Sequence, residues 1–351
     1  MTARQQFIAR PYVADFIEWF ARELDSRTLF QHTYIQRRTG KVWACESLYD
    51  AFETYQWNSP ANDRLGFAAT GDAAGNAQAL KALRRDLKAA GSDDAKMLQA
   101  TLDVMAWGGV TAGNAKWLRA NERGLAQQVN EVAAAIDAGD PAVPVLRAKT
   151  LRFNAGMTKV YSLLCADFII YDSRVAAFLG HAVVLFCTLH GLTTVPRYLC
   201  FPWAGAKEGK NAQAPKRRNP GNGTLAFSRL RPHAHHALWN LRASWVMSAV
   251  LAHPAAANSR FNRARSQGDA LRALESAAFM YGYCLGAPYT LPADADCSEP
   301  DEHVVALIKQ AEHGQWHEID VDEMLAELDI MIKKAEEEPA PGANPAGPAR
   351  R

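Results

Sequence analysis

Apolar and polar positions along this chain alternate mainly with the three- and four-residue spacing of amphipathic helices. Tyr12-Val13-Ala14-Asp15-Phe16-Ile17-Glu18-Trp19-Phe20 shows the pattern most clearly. Residues 80–90 and 97–107 predict two further helices, the second stopped by Gly108-Gly109. Residues 117–138 read as one long helix that Gly139-Asp140-Pro141 ends. The apolar run 175–192 predicts a buried central helix; interrupted by His181 and His190, it is too short to span a bilayer. Helical spacing resumes at 235–245 and 268–283, whereas alternation of Val, Ile and Thr is almost absent. Residues 31–45 are the exception and predict a small hairpin turning at Thr39-Gly40. The expected fold class is all-α.

Two segments break the periodicity. Residues 196–232 are rich in Gly, Pro, Asn and cations, a long irregular connection of the kind that is functional or disordered. Residues 339–351 are mostly Pro, Ala and Gly and predict a disordered tail. The expected organisation is an N-terminal helical lobe at 1–140, a second lobe at 141–338 and the tail.

Charge sharpens this picture. The 351 residues carry a formal net charge of only +2. Yet Lys207, Lys210, Lys216, Arg217, Arg218, Arg229 and Arg231 face a single acid, Glu208, while residues 318–338 are acidic. One basic segment in a near-neutral chain suits a protein that grips a polyanion with one face. The six cysteines form no C-x-x-C pair, which predicts thiols in a reducing cytoplasm and argues against a cysteine-held iron–sulfur site. The opening Met1-Thr2-Ala3-Arg4-Gln5-Gln6 predicts no secretory leader. His233-Ala234-His235-His236 lacks the spacing and the neighbouring carboxylate of a zinc site, and no metal or other cofactor is expected.

The chemistry concentrates at Gly156-Met157-Thr158-Lys159-Val160 and at Ile170-Tyr171-Asp172-Ser173-Arg174-Val175. Lys159 follows a short turn and opens an apolar helix. Phe168-Ile169-Ile170 reads as an extended link, and Asp172 caps the next helix. A primary amine and a carboxylate at two neighbouring helix starts suit chemistry at a sugar carbon. The amine attacks C1′, and the carboxylate steadies the positive charge that builds as a glycosidic bond breaks.

These residues resemble the helix-hairpin-helix DNA glycosylases, the base-excision superfamily that includes the 8-oxoguanine and thymine-glycol enzymes. Thr158-Lys159-Val160 falls on the hairpin lysine of that family and Tyr171-Asp172 on its aspartate. The hairpin glycines of the family fall on Ala155 and Met157, with Gly156 between them, and the lysine-to-aspartate spacing is shorter than usual. The resemblance covers about twenty to twenty-five residues. It implies a two-lobed helical protein, catalysis by Asp172 and Lys159, and duplex DNA carrying a modified base as the partner, bound by a monomer. The resemblance implies an oxidised purine as the base; the enlarged basic loop and the N-terminal region raise the alternative of a bulky hypermodified phage cytosine, which implies an antiviral defence enzyme. Candidate DNA contacts are Gly156, Thr158, Arg174, Lys216, Arg217 and Arg218.

A flipped base needs aromatic surfaces to stack on. Of nine tryptophans, Trp43, Trp57, Trp107, Trp203 and Trp239 are candidates, with Trp43, Trp107 and Trp239 taken as the base pocket. The competing reading is a helix-hairpin-helix protein that binds DNA without catalysis, favoured by the missing hairpin glycines. A helical adaptor without DNA affinity is the third class.

Overall fold

The computed structural model describes residues 1–37, 39–206, 216–263 and 266–286. Arg38, Lys207, Lys210, Cys297, the acidic stretch and the Pro-rich 339–351 lie outside the described residues. Within them the chain forms twelve α-helices and one two-stranded sheet.

The chain begins with α1 (Ala3–Ile8) and α2 (Pro11–Glu23). In α2 the buried set is Val13, Phe16, Ile17, Phe20 and Ala21, the i, i+3, i+4 stripe that the sequence pattern marks out. The hairpin follows: β1 (His32–Ile35) pairs antiparallel with β2 (Val42–Cys45), Tyr34 opposite Trp43. Gly40, at φ +66°, makes the turn. After α3 (Leu48–Glu53) come α4 (Ala73–Ala90) and α5 (Asp94–Trp107). Residues 117–138 depart from the expected single helix. They divide between α6 (Ala112–Ala120) and α7 (Leu125–Ala138), because Asn121 closes the first and Gly124, at φ +80°, turns the backbone before the second.

The remaining elements are α8 (Pro144–Arg147), α9 (Met157–Leu164), α10 (Ser173–Leu189), α11 (Ala234–Ala252) and α12 (Gln267–Tyr281). Helices α1, α2 and α3 pack against α10, α11 and α12, whereas α4 to α9 pack largely among themselves, α8 also touching α11. Residues 1–53 thus share a core with 173–281, across the boundary expected at residue 140.

That core is aromatic. Phe16, Phe20, Phe30, Phe178, Phe186 and Tyr281 are all buried, with neighbouring ring centroids 5.3–6.4 Å apart. Each phenylalanine removed from water contributes roughly 1.5–3 kcal/mol, so this cluster anchors α2 and α10 to one another. Helix α10 is buried on nearly every side, as its apolar run requires. Among the described residues no helix is long and apolar enough to cross a membrane.

The Lys159–Asp172 candidate active site

The site is built on two helix starts. Asn154 forms the first: its Oδ1 accepts from the amides of Gly156 (2.9 Å) and Met157 (3.0 Å), turning the chain into α9. Asp172 forms the second, its Oδ1 accepting from the amides of Arg174 (2.9 Å) and Val175 (3.1 Å) as the N-cap of α10. The two are brought together by residues 169–171, whose backbone is tied down on several sides. Ile169 N–H donates to Ser244 Oγ (3.1 Å), Ile170 N–H to Glu275 Oε2 (2.8 Å) and Tyr171 N–H to Thr158 Oγ1 (3.0 Å). Asn240 donates to the Ile169 carbonyl at 2.9 Å, and His236 Nε2 lies 2.7 Å from the Tyr171 carbonyl. Side chains from α9, α11 and α12 therefore replace the sheet ladder this extended link would otherwise need.

Lys159 Nζ stands 3.9 Å from Asp172 Oδ2 and donates to the carbonyl of Ala155 at 3.1 Å. The two side chains are 8% and 13% exposed, so a nearly dry pair is open at one edge. The lysine stem lies along the end of α5. A Cβ on Gly108 would sit 2.5 Å from Lys159 Cδ, so any side chain there would push the lysine stem aside. At the other side Gly282 lets α12 approach α10, where a Cβ would meet the Arg174 carbonyl at 1.9 Å.

Burial works on both charges. It holds the Lys159 ammonium below its ordinary value of 10.5, more than Asp172 and Glu275 raise it. Burial pushes the Asp172 carboxyl up, but Lys159, Arg174, the Val175 amide and Arg218 together bring it below 3.8. The pair thus keeps its carboxylate ionised beside an amine that gives up its proton more readily than an ordinary lysine. Burial raises the Glu275 carboxyl, which Arg272 and the Ile170 amide oppose.

Arg174, two residues past the aspartate, is half-buried in an aromatic cleft. Its guanidinium carbon lies 4.0 Å from the Phe279 ring centroid, 4.9 Å from Tyr283 and 5.9 Å from Trp57. Trp57 Nε1–H donates to the Trp107 carbonyl at 2.8 Å, and its ring packs on Gly109. Trp57, rather than the expected Trp43, Trp107 and Trp239, shares this cleft with Arg174. Trp43 stacks on Tyr34 at 4.6 Å, and Tyr34 on Tyr283 at 4.8 Å, which places it two rings away from the guanidinium. Trp107 is buried and donates to Asn76, and Trp239 packs on Phe201 and Arg242.

The expected DNA contacts divide in the same way. Thr158 is fully buried: its hydroxyl donates to Asn240 Oδ1 and accepts from Tyr171, leaving nothing for phosphate. Gly156 has its amide taken by Asn154. Arg218 is 7% exposed and donates to Ser173 Oγ and, at 3.2 Å, to the Tyr283 carbonyl; it is an internal strut under α10. Arg217 is exposed and folds back on the carbonyls of Asn219 (3.2 Å) and Gly221 (2.9 Å). The Lys216 ammonium lies 5.1 Å from the Tyr283 ring centroid. The histidine cluster is used by backbone: His233 by Leu151, His235 by the Arg231 amide and His236 by Tyr171.

Sequence reasoning did not single out Asn154, Asn240, Ser244 or Glu275, and met Gly108 only as a helix stop. Asn240, Ser244 and Glu275 bond the link from 71 to 105 positions away in the chain, and no local pattern announces them. An apolar hollow lined by Pro141, Leu146, Arg147, His235, Leu238 and Leu241 includes neither Lys159 nor Asp172. It lies on a different face of α11 from His236, Asn240 and Ser244. Comparison with protein-family models, curated proteins and solved structures yields no match.

Proposed function

We propose that this chain is a two-lobed helix-hairpin-helix DNA glycosylase that releases a damaged or modified base flipped out of duplex DNA. The observation that carries the reading is the buried Lys159–Asp172 pair at two helix starts. In a water-poor site a fixed carboxylate stabilises developing positive charge far better than it does in bulk water. As the N-glycosidic bond lengthens, its electron pair leaves with the base and positive charge spreads over C1′ and the ring oxygen. Asp172 faces that charge, and water adds to C1′, leaving an abasic site.

Lys159 has two roles open to it. With its proton it is the counter-ion that holds Asp172 in place. Without it, the amine is a nucleophile that attacks C1′ and gives a Schiff base. The depressed lysine supports the second role; its hydrogen bond to Ala155 and the short spacing to Asp172 support the first. Arg174 and its aromatic neighbours offer a polar edge and ring faces to a planar base. An oxidised purine and a hypermodified cytosine are the substrate classes to test.

The direct experiment incubates the protein with duplexes carrying each modified base and then adds alkali to cut at abasic sites. Cleavage of one modified duplex, and not of its unmodified control, is expected. Borohydride added during turnover traps the lysine covalently if Lys159 attacks, and Lys159→Gln abolishes that adduct. A second reading, DNA binding without catalysis, is supported by the hairpin: the amides of Gly156 and Met157 are occupied by Asn154. Duplex binding with no alkali-labile product on any substrate would favour it.

A further inference from the structure

Three arginines from distant parts of the chain converge on one tyrosine. Arg10 precedes α2, Arg197 follows α10 and Arg242 lies within α11. Their guanidinium carbons stand 3.9, 5.9 and 5.6 Å from the centroid of the Tyr198 ring. Arg242 also lies 4.8 Å from the Trp239 ring centroid and 5.3 Å from that of Phe7, and Phe7 meets Tyr198 edge-on at 6.3 Å. Among the described residues no carboxylate pairs with any of the three.

Like charges gathered around one ring repel, a cost that the ring contacts offset in part and that a counter-charge arriving from outside would relieve. Burial holds the Arg242 guanidinium below its ordinary value, and Arg10 and Arg197 push it the same way against Tyr198. The cationic strip continues past His235, which burial, Arg231 and Arg242 all depress. Arg229, over the Trp203 ring at 4.1 Å, repeats the arrangement. A guanidinium set over a ring can still turn its N–H edges to bidentate contacts, the geometry that suits phosphate. Interleaved cations and aromatics are what nucleic-acid surfaces use.

The strip is separate from the chemistry. Along α11, His236, Asn240 and Ser244 face the link that ends in Asp172. At 3.6 residues per turn, Arg242 projects from the opposite side of the helix.

We propose that Arg10, Arg197 and Arg242, set on the Phe7–Tyr198–Trp239 platform, form a second binding site for the phosphodiester backbone of nucleic acid. The site is distinct from the Lys159–Asp172 pair, and it rests on the reading of this chain as a DNA-binding protein.

The test uses the full-length chain carrying Asp172→Asn, so that no duplex is consumed, and titrates unmodified duplex DNA over a series of salt concentrations. Arg10→Gln with Arg197→Gln is expected to weaken binding and to flatten log affinity against log salt by about 1.8, at roughly 0.9 per lost phosphate contact. Adding Arg242→Gln brings the change to about 2.7. Arg10 and Arg197 are exposed, so the double variant isolates charge from packing. Unchanged slopes in a folded double variant would overturn this site and leave the glycosylase reading standing. Absence of duplex binding by the parent chain would overturn both. Displacement of the duplex by polyglutamate at lower charge concentration than by competitor DNA would overturn the nucleic-acid assignment in favour of an acidic protein.

Discussion

Residues 169–172 and residues 216–231 both carry groups that DNA chemistry calls for, and they are held in opposite ways. The first stretch is almost all apolar in sequence. Its backbone is nevertheless fastened by Thr158, His236, Asn240, Ser244 and Glu275, each from a helix elsewhere in the chain. The second stretch is conspicuously cationic, yet its charges do unlike things. Arg218 is buried as a strut, Arg217 closes its own loop and Arg229 lies on Trp203. A run of like charge therefore does not define a binding surface, and a polar network can be essential where the local sequence is bland. The difference is one of desolvation. A group taken out of water must find a partner, so burial turns scattered polar residues into a network, whereas an exposed cation is satisfied by solvent.

The strongest test of the pinned stretch is Asp172→Asn. Asparagine still caps α10 but carries no charge to face the developing cation. Base release is expected to fall by at least about a hundredfold while the melting transition and duplex affinity hold. Normal base release by this variant would remove the pair from the mechanism.

Thr158→Val breaks the network without touching the pair. It leaves the Tyr171 amide without its acceptor and Asn240 without its donor, both buried. Urea unfolding should show a loss of about 1–3 kcal/mol for each buried group left unsatisfied. Base release should fall as well, because the link no longer fixes Asp172. A variant of wild-type stability would show that the link is held by packing alone.

Arg218→Ala against Arg217→Ala tests the division within the cationic stretch. Removing Arg218 strands the Ser173 hydroxyl and the Tyr283 carbonyl, and should cost about 1–3 kcal/mol in the same measurement. Removing Arg217 should leave stability unchanged and lower only the salt slope of duplex binding, by up to about 0.9. Equal effects would erase the distinction.

The smallest effect is the pH dependence of the pair. Asp172 titrates below 3.8 in the fold, so its contribution to stability is complete above the unfolded value and is lost as pH falls through the folded one. The stability gap between the parent and Asp172→Asn should therefore narrow towards pH 3, read by urea unfolding at each pH. Lys159 has the same sign at higher pH: its folded value lies below 10.5, so there too stability rises with pH between the two values. Borohydride trapping, if Lys159 attacks, should likewise rise with a midpoint below 10.5. A midpoint at or above 10.5 would contradict a desolvated amine.

Much of the architecture was legible in the chain itself, because helix periodicity, glycine stops and caps act over a few residues. The stripe of α2, the turn at Gly40, the end of α5 at Gly108 and the cap at Asp172 all follow from such neighbours. The break between α6 and α7 was missed, since Asn121 and Gly124 interrupt a periodicity that otherwise runs on. The meeting of Lys159 and Asp172 at two neighbouring helix starts was legible as well, because residue type and spacing carry that signal. What tertiary structure alone decided is their environment: which partners tie the link, which tryptophan shares a cleft with Arg174, and which cations leave solvent. Local sequence sets the conformational preference of each segment. Burial and electrostatics depend on atoms that approach only when distant segments pack, and no spacing along the chain encodes that approach.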